Sequence, residues 1–214
     1  MSRLAIKICG LSTPDSVGAS VRAGASHVGF VHFPKSPRHV DTEQMAALAS
    51  AVPPHVGRVA VLVDPDDDQL ARVSASGTVS IIQLHGREQP DRVAAIRQRF
   101  ALPVWKALSV KTRADIDAAG AYAEAADLLL FDAKTPDGAA LPGGMGLRFD
   151  WTLLQGARIP AQWGLSGGLT AANACAAVGM TGAPLIDVSS GVEDAPGMKS
   201  VDKIMAFCKA VSAC

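Results

Sequence analysis

Leu4-Ala5-Ile6-Lys7-Ile8-Cys9-Gly10 is a short apolar run, broken by one lysine and closed by a cysteine and a glycine. Its length and its isoleucines read as a β-strand. Runs of the same kind recur along the chain, at residues 4–9, 27–32, 58–63, 79–84, 104–108, 127–132, 161–165 and 184–188. Between them lie alanine-rich stretches with helix-start signals. Thr13-Pro14-Asp15-Ser16 precedes 17–23, Asp41-Thr42-Glu43 precedes 45–51, and Thr170-Ala171-Ala172-Asn173 precedes 174–178. Such alternation is the mark of parallel strands joined by crossover helices. Eight runs, seven crossovers and a last helix over 198–211 predict a single-domain (β/α)8 TIM barrel over residues 1–214. The stretch 115–120 carries few large apolar groups, so the fifth helix is expected to be short or irregular.

The rival architecture, an open doubly wound sheet, normally places G-x-G-x-x-G after its first strand. Here that turn reads Cys9-Gly10-Leu11-Ser12-Thr13-Pro14, and Gly144-Met145-Gly146 lacks the third glycine and does not follow directly on a run. A dinucleotide site is not expected. Asp64-Pro65-Asp66-Asp67-Asp68, followed by Gln69-Leu70-Ala71-Arg72-Val73, reads as a helix N-terminus stabilised by its dipole rather than a cation site.

Composition narrows the function. The 214 residues are 49% apolar, no hydrophilic linker divides them, and 20 basic groups balance 20 acidic ones. No broad cationic surface is available for nucleic acid or an acidic membrane, so any bound anion should be small. Lys7 interrupts what would be the apolar stretch of a secretion signal, and no later run nears the ~20 apolar residues of a membrane span. A cytoplasmic protein is expected. The four cysteines, at 9, 175, 208 and 214, show no paired metal-ligand spacing, and a reducing compartment would keep them as thiols. Cys175 and Cys208, in helix-like segments, read as core residues and Cys214 as a tail residue. The five histidines form no HExxH cluster, so no metal is assigned.

Side chains at the carboxyl ends of barrel strands converge on one mouth. Period-two alternation turns Ala5, Lys7 and Cys9 inward, with Cys9 at the upper rim and the Lys7 ammonium one layer below. A nearby cation favours thiolate, as a thiol base requires; Lys7 reads equally as a structural ion-pair partner. Leu128, Leu130 and Asp132 share a face, placing a carboxyl at the same rim, where desolvation would hold a proton ready for donation. An aspartate there also reads as the cap of a turn. After the last two strands come Ser166-Gly167-Gly168-Leu169 and Ser189-Ser190-Gly191, whose backbone amides and hydroxyls suit a phosphate. Arg38, at the tip of Phe33-Pro34-Lys35-Ser36-Pro37-Arg38-His39, is a candidate carboxylate anchor or an ordinary surface salt bridge. His85 could polarise a substrate oxygen or hold a turn.

Lys7-Ile8-Cys9-Gly10, Ser36-Pro37-Arg38, Gln83-Leu84-His85-Gly86, Gly143-Gly144-Met145-Gly146 leading to Phe149-Asp150-Trp151, Leu165-Ser166-Gly167-Gly168-Leu169 and Asp187-Val188-Ser189-Ser190-Gly191-Val192-Glu193 occur in this order. With the aspartate of Phe131-Asp132, they make the chain resemble the phosphoribosylanthranilate isomerase family of tryptophan biosynthesis. The resemblance implies an Amadori rearrangement of N-(5-phosphoribosyl)anthranilate, an aminoaldose, to 1-(2-carboxyphenylamino)-1-deoxyribulose 5-phosphate, without metal or organic cofactor. It implies that Asp132 protonates the furanose ring oxygen and that Cys9 removes the C2 proton. Arg38 would bind the anthranilate carboxylate, and Gly167, Gly168, Ser189, Ser190 and Gly191 would hold the phosphate. Asp187 would contact a sugar hydroxyl, with Lys7 and His85 also facing substrate. Gly144 and Gly146 would belong to a mobile sixth loop, whose lead over 133–142 suits a lid.

The partner expected is a small phosphorylated aminosugar, and the protein a monomer or homodimer. Rival readings are an indole-glycerol-phosphate synthase, which Lys106 alone keeps open, a metal-dependent sugar-phosphate epimerase, and a non-catalytic phosphate-binding module.

Overall fold

A computed structural model describes residues 4–135, 143–144 and 146–214. Eight strands close a barrel in sequence order: β1 (Ala5–Cys9), β2 (His27–His32), β3 (Gly57–Leu62), β4 (Ile81–Leu84), β5 (Val104–Val110), β6 (Leu128–Ala133), β7 (Trp163–Leu165) and β8 (Leu185–Val188). Each pair is parallel, and β8 returns to β1 in a register running from Ala5 opposite Leu185 to Ile8 opposite Val188.

Alternation along the strands divides the core in two. Ile6 and Ile8 of β1, with Phe131 of β6, belong to the large cluster between strands and helices. Cys9, Val59, Val61, Ile81, Trp105, Ala107, Leu130 and Leu185 form a smaller cluster filling the barrel's interior. This layering sends Lys7, Cys9, Asp132 and Asp187 to the inside.

The helices begin where short polar side chains can take up their free amides. Thr13 caps α1 (Pro14–Arg22), Asp41 caps α2 (Thr42–Ser50), and Asp66 caps α3 (Asp67–Ala75), each closing a capping box with the residue three positions on. The acidic run 64–68 therefore starts a helix, and Asp64 accepts a hydrogen bond from the Arg87 amide at 2.6 Å. After α4 (Pro90–Phe100), the fifth crossover is weak as anticipated: α5 (Arg113–Asp117) passes into a 3-10 turn at Ala118–Tyr122. Only Ile116 and Ala119 of these two elements are buried, too little apolar surface to hold a longer helix.

The sixth crossover departs from the strand-and-helix rhythm. Among the described residues it holds only a 3-10 turn at Trp151–Leu154, anchored by buried Trp151 and Leu154 and started by Asp150 accepting from the Thr152 amide. Residues 136–142, within the expected lid, lie outside the described residues. The chain ends with α6 (Ala174–Thr181), a hairpin of β9 (Glu193–Ala195) and β10 (Met198–Lys199) that the pattern did not announce, and α7 (Val201–Ser212). No described helix is long and apolar enough to cross a membrane.

The cysteine assignment needs correction. Cys208 is buried, and burial pushes its thiol up to about 11. Cys175, however, faces out from the second position of α6 and forms a disulfide with Cys214, their Cα atoms 5.3 Å apart. Neither is a free thiol and Cys175 is not a core residue, because the end of α7 runs alongside α6 and brings the last residue to it.

Candidate active site

A cleft of about 790 Å³, counting its open mouth, lies over the carboxyl ends of the strands. Its lining includes Cys9, Arg38, His85, Asp132, Asp187 and Ser189. These six residues stand at or just beyond the carboxyl ends of five different strands.

Asp132 is buried near the end of β6. Its Oδ1 accepts from the Ala133 amide at 2.8 Å, and its Oδ2 stands 3.3 Å from His85 Nε2. Gly143 passes close above: a Cβ there would stand 2.6 Å from Asp132 Oδ2 and 2.8 Å from the His85 ring. Only a residue without a side chain lets the sixth loop approach these two groups so closely.

Lys7 does not reach the cleft. It is fully buried below Cys9 and donates to Asp187 Oδ1 at 3.0 Å, so the ion-pair reading describes it better than direct substrate contact. Burial works against the Lys7 charge, but Asp187 and then Cys9 more than offset this, and the ammonium titrates above its ordinary value. For Asp187, burial raises the carboxyl further than Lys7 lowers it. The 3.0 Å contact favours the charged pair, against the cost of burying both charges. For the Cys9 thiol, burial is the largest influence and raises it; Lys7 pulls it back and Asp187 pushes it up again.

Arg38 is no surface salt bridge. Its guanidinium is buried, with Nε and Nη2 each 2.7 Å from a Glu193 carboxylate oxygen, and Nη2 also donates to the Gly144 carbonyl at 3.0 Å. Nη1 lies against Gly144 of the cleft wall, 2.7 Å from where a Cβ on that glycine would stand. Gly10 clears the way for the arginine stem, since a Cβ there would stand 2.5 Å from Arg38 Cδ.

The two turns meet. Gly167 and Gly168 have φ of +86° and +63°, which glycine alone adopts freely, and a Cβ on Gly191 would overlap the Leu169 carbonyl oxygen. Ser166, Gly167, Gly168, Ser189 and Ser190 line the cleft, whereas Gly191 supports it from behind. After the eighth strand comes only a three-residue 3-10 turn, Ser190–Val192, too short to add a helix dipole there. The amides and hydroxyls of these turns are the hydrogen-bond donors available at this end of the cleft. Gly144 and Gly146 both line the cleft with positive φ.

Lys106, the residue that kept the synthase open, points away from the barrel interior and binds Glu88 at 2.9 Å and the Gly86 carbonyl at 2.8 Å. Its neighbours on β5, Trp105 and Ala107, occupy the interior instead. Among the described residues no three histidine, cysteine or acidic side chains gather closely enough to hold a metal ion. Sequence reasoning gave no role to Gln83, which lines the cleft, or to Glu193, which grips Arg38. The alternation linking Gln83 to His85 on β4 was a usable signal; nothing in spacing linked residue 193 to residue 38.

The comparisons with known proteins agree with this geometry. A sequence profile for N-(5'-phosphoribosyl)anthranilate (PRA) isomerase matches residues 6–210. The N-(5'-phosphoribosyl)anthranilate isomerase of Azorhizobium caulinodans is 54% identical over 97% of this chain and 91% of its own. That of Zymomonas mobilis subsp. pomaceae is 52% identical over 96% of both. The crystal structure of the Thermotoga maritima phosphoribosyl anthranilate isomerase superposes with a TM-score of 0.88 at 34% identity, covering 99% of this chain and 100% of that one. A phosphoribosyl anthranilate isomerase crystallised with reduced 1-(o-carboxyphenylamino)-1-deoxyribulose 5-phosphate superposes at 0.86 and 32% identity, covering 99% and 100%. With nearly its whole length matched at this level, the chain belongs to the N-(5'-phosphoribosyl)anthranilate isomerase family.

Proposed function

We propose that this protein converts N-(5-phosphoribosyl)anthranilate to 1-(2-carboxyphenylamino)-1-deoxyribulose 5-phosphate, with Asp132 as general acid and Cys9 as general base. One observation carries the assignment of roles: a thiol and a carboxyl from opposite halves of the barrel line the same cleft as a buried arginine and two glycine turns. The turns take the phosphate, and Arg38 takes the anthranilate carboxylate through Nη1 and, where the Gly144 carbonyl yields, Nη2.

Asp132 Oδ2 gives its proton to the furanose ring oxygen, the C1–O bond breaks, and the aniline nitrogen's lone pair completes a protonated Schiff base. His85 Nε2, 3.3 Å away, is near enough to stabilise the carboxylate left behind. The Cys9 thiolate then removes the C2 proton. Electrons from that C–H bond flow to the iminium nitrogen, and the resulting enolamine tautomerises to the ketone.

Timing suits the electrostatics of the cleft. Burial keeps the resting thiol above its ordinary value, so thiolate is scarce before substrate arrives. Ring opening places a second cation near the one on Lys7, favouring thiolate when a base is needed. Asp187, paired with Lys7, lines the cleft and can also receive a sugar hydroxyl.

The test is turnover of phosphoribosylanthranilate by purified protein without added metal, followed as loss of anthranilate fluorescence. Cys9→Ala and Asp132→Asn should each lower kcat about 10²–10⁴-fold with unchanged circular dichroism. Full activity in either variant removes that residue from the mechanism.

A further inference from the structure

Glu193 and Lys199 face each other across the β9–β10 hairpin, outside the groups that would touch substrate. Their side chains are only 4% and 2% exposed, unusual for charged residues on a short surface hairpin. Glu193 is shared between two cations. Its Oε1 accepts from Arg38 Nε at 2.7 Å and from Lys199 Nζ at 2.6 Å, and its Oε2 accepts from Arg38 Nη2 at 2.7 Å. Lys199 spends its other donors on Ser189, at 2.9 Å to the carbonyl and 3.2 Å to Oγ. Because Ser189 Oγ accepts from the ammonium, its own hydrogen is free to point toward the cleft, the orientation an anionic oxygen requires.

The hairpin is wedged in place. A Cβ on Gly197, at its tip, would collide with the Pro37 carbonyl, one residue before Arg38. Lys203 Nζ of α7 donates to the Glu193 carbonyl at 2.7 Å. Gly10 lies between the two anchored groups, with Arg38 Cδ and Ser189 Oγ 2.5 Å and 3.1 Å from where its Cβ would be. Burial opposes the Glu193 charge, yet the bond from Arg38 and the charge of Lys199 prevail, holding the carboxyl below its ordinary value.

We propose that Glu193 and Lys199 are positioning residues that fix Arg38 and the Ser189 turn at one separation, so that the site selects ligands carrying a carboxylate and a phosphate at matching ends. The inference rests on the proposed substrate and adds to it a basis for recognising both of its ends. Two cations and one carboxylate also leave the cluster one positive charge in excess, which a ligand carboxylate neutralises. Free to choose rotamers, Arg38 would pay ordering entropy on each binding event; braced, it has already paid.

Glu193→Gln tests this. The amide keeps the shape but sets an N–H donor against an arginine N–H, so one of the two braces is lost. Calorimetric binding of reduced 1-(o-carboxyphenylamino)-1-deoxyribulose 5-phosphate should weaken about 10–100-fold, the worth of a charged hydrogen bond. The same analogue without its carboxyl should weaken less than about 3-fold, and KM should rise with kcat nearly constant. Lys199→Met, which frees Ser189, should weaken both analogues, and it serves as the test where Glu193→Gln does not fold. Equal loss for both analogues in Glu193→Gln, a fall in kcat at constant KM, or wild-type behaviour in both variants would overturn the proposal. A wild-type protein that neither binds the carboxylated analogue nor turns over substrate would instead overturn the functional reading, and this inference with it.

Discussion

Replacing Lys7 by methionine tests how the Cys9 thiol, the proposed base, is tuned. Cys9 Sγ and Lys7 Cε lie 2.9 Å and 3.1 Å from one point above Gly29, so the thiol and the ammonium stem are within about 6 Å of each other. At about 5 Å and an effective dielectric of about 20, a unit charge stabilises the thiolate by roughly 3 kcal/mol. The thiol already titrates above its ordinary value of 9.0 with Lys7 in place, so removing the cation drives it higher still. Part of that rise is cancelled, because Asp187, deprived of its partner, takes up a proton more readily and repels the thiolate less. A net rise remains, cutting thiolate and kcat/KM about 10–100-fold at any pH below the wild-type thiol's titration. The direct assay is the pH dependence of Cys9 alkylation by iodoacetamide, read by mass spectrometry of its peptide. A midpoint unmoved or lowered in Lys7→Met, with the protein still folded, refutes Lys7 as the cation that serves the thiol. The double variant Lys7→Met/Asp187→Asn removes the unpaired carboxylate and guards against misreading a destabilised protein.

Three further outcomes follow from the fold. His27 is pushed down to about 4 by burial and then by Lys7; below 6.5 the unfolded chain binds a proton that the folded one refuses, so stability should rise by up to about 3 kcal/mol between pH 4 and 6.5. Urea melts of wild type and His27→Gln check this, the variant's profile being flatter; parallel profiles would contradict it. Gly191→Ala should push the two phosphate turns apart and raise the inhibition constant of inorganic phosphate at least about 10-fold, which an unchanged constant would contradict. Cys214→Ser opens a bridge spanning 39 positions, a loop whose closure is worth up to about 4 kcal/mol in the chain-entropy account. Its Tm should match that of the reduced wild type and lie below that of the oxidised protein; equal Tm in all three would show that the bridge does not form in solution.

What was legible in the sequence was whatever a strand period or a cap carries. Cys9 and Asp132 were placed inside because alternation along one strand decides which way a residue points, and barrel closure then makes all strand ends neighbours; Asp187 came only from the family resemblance. Both glycine turns were legible for the same reason, as each follows directly on a strand. The sixth crossover was not, because its apolar content is concentrated in Phe149, Trp151 and Leu154, enough to anchor a 3-10 turn without a repeating helical face. Cys175 was misjudged because a cysteine in an alanine-rich helix looks apolar whichever way it faces, and only the course of α7 brings Cys214 against it.

The least legible feature was charge pairing across the fold. Arg38 and Glu193 are 155 positions apart, and neither strand periodicity nor helical spacing relates them, since both stand on connecting segments. Arg38 sits in a proline-stiffened loop that looks exposed, where the default for a guanidinium is a weak surface ion pair. The structure inverts that default by burying the loop end under the β9–β10 hairpin, so that the arginine must be paired. A buried cation with its hydrogen bonds satisfied on one edge has a fixed opposite edge, here the Nη1 that lies against Gly144 of the cleft wall. The proposed carboxylate anchor is therefore a product of two loops packing together: Arg38 supplies the charge, Glu193 supplies its direction, and only coordinates join them.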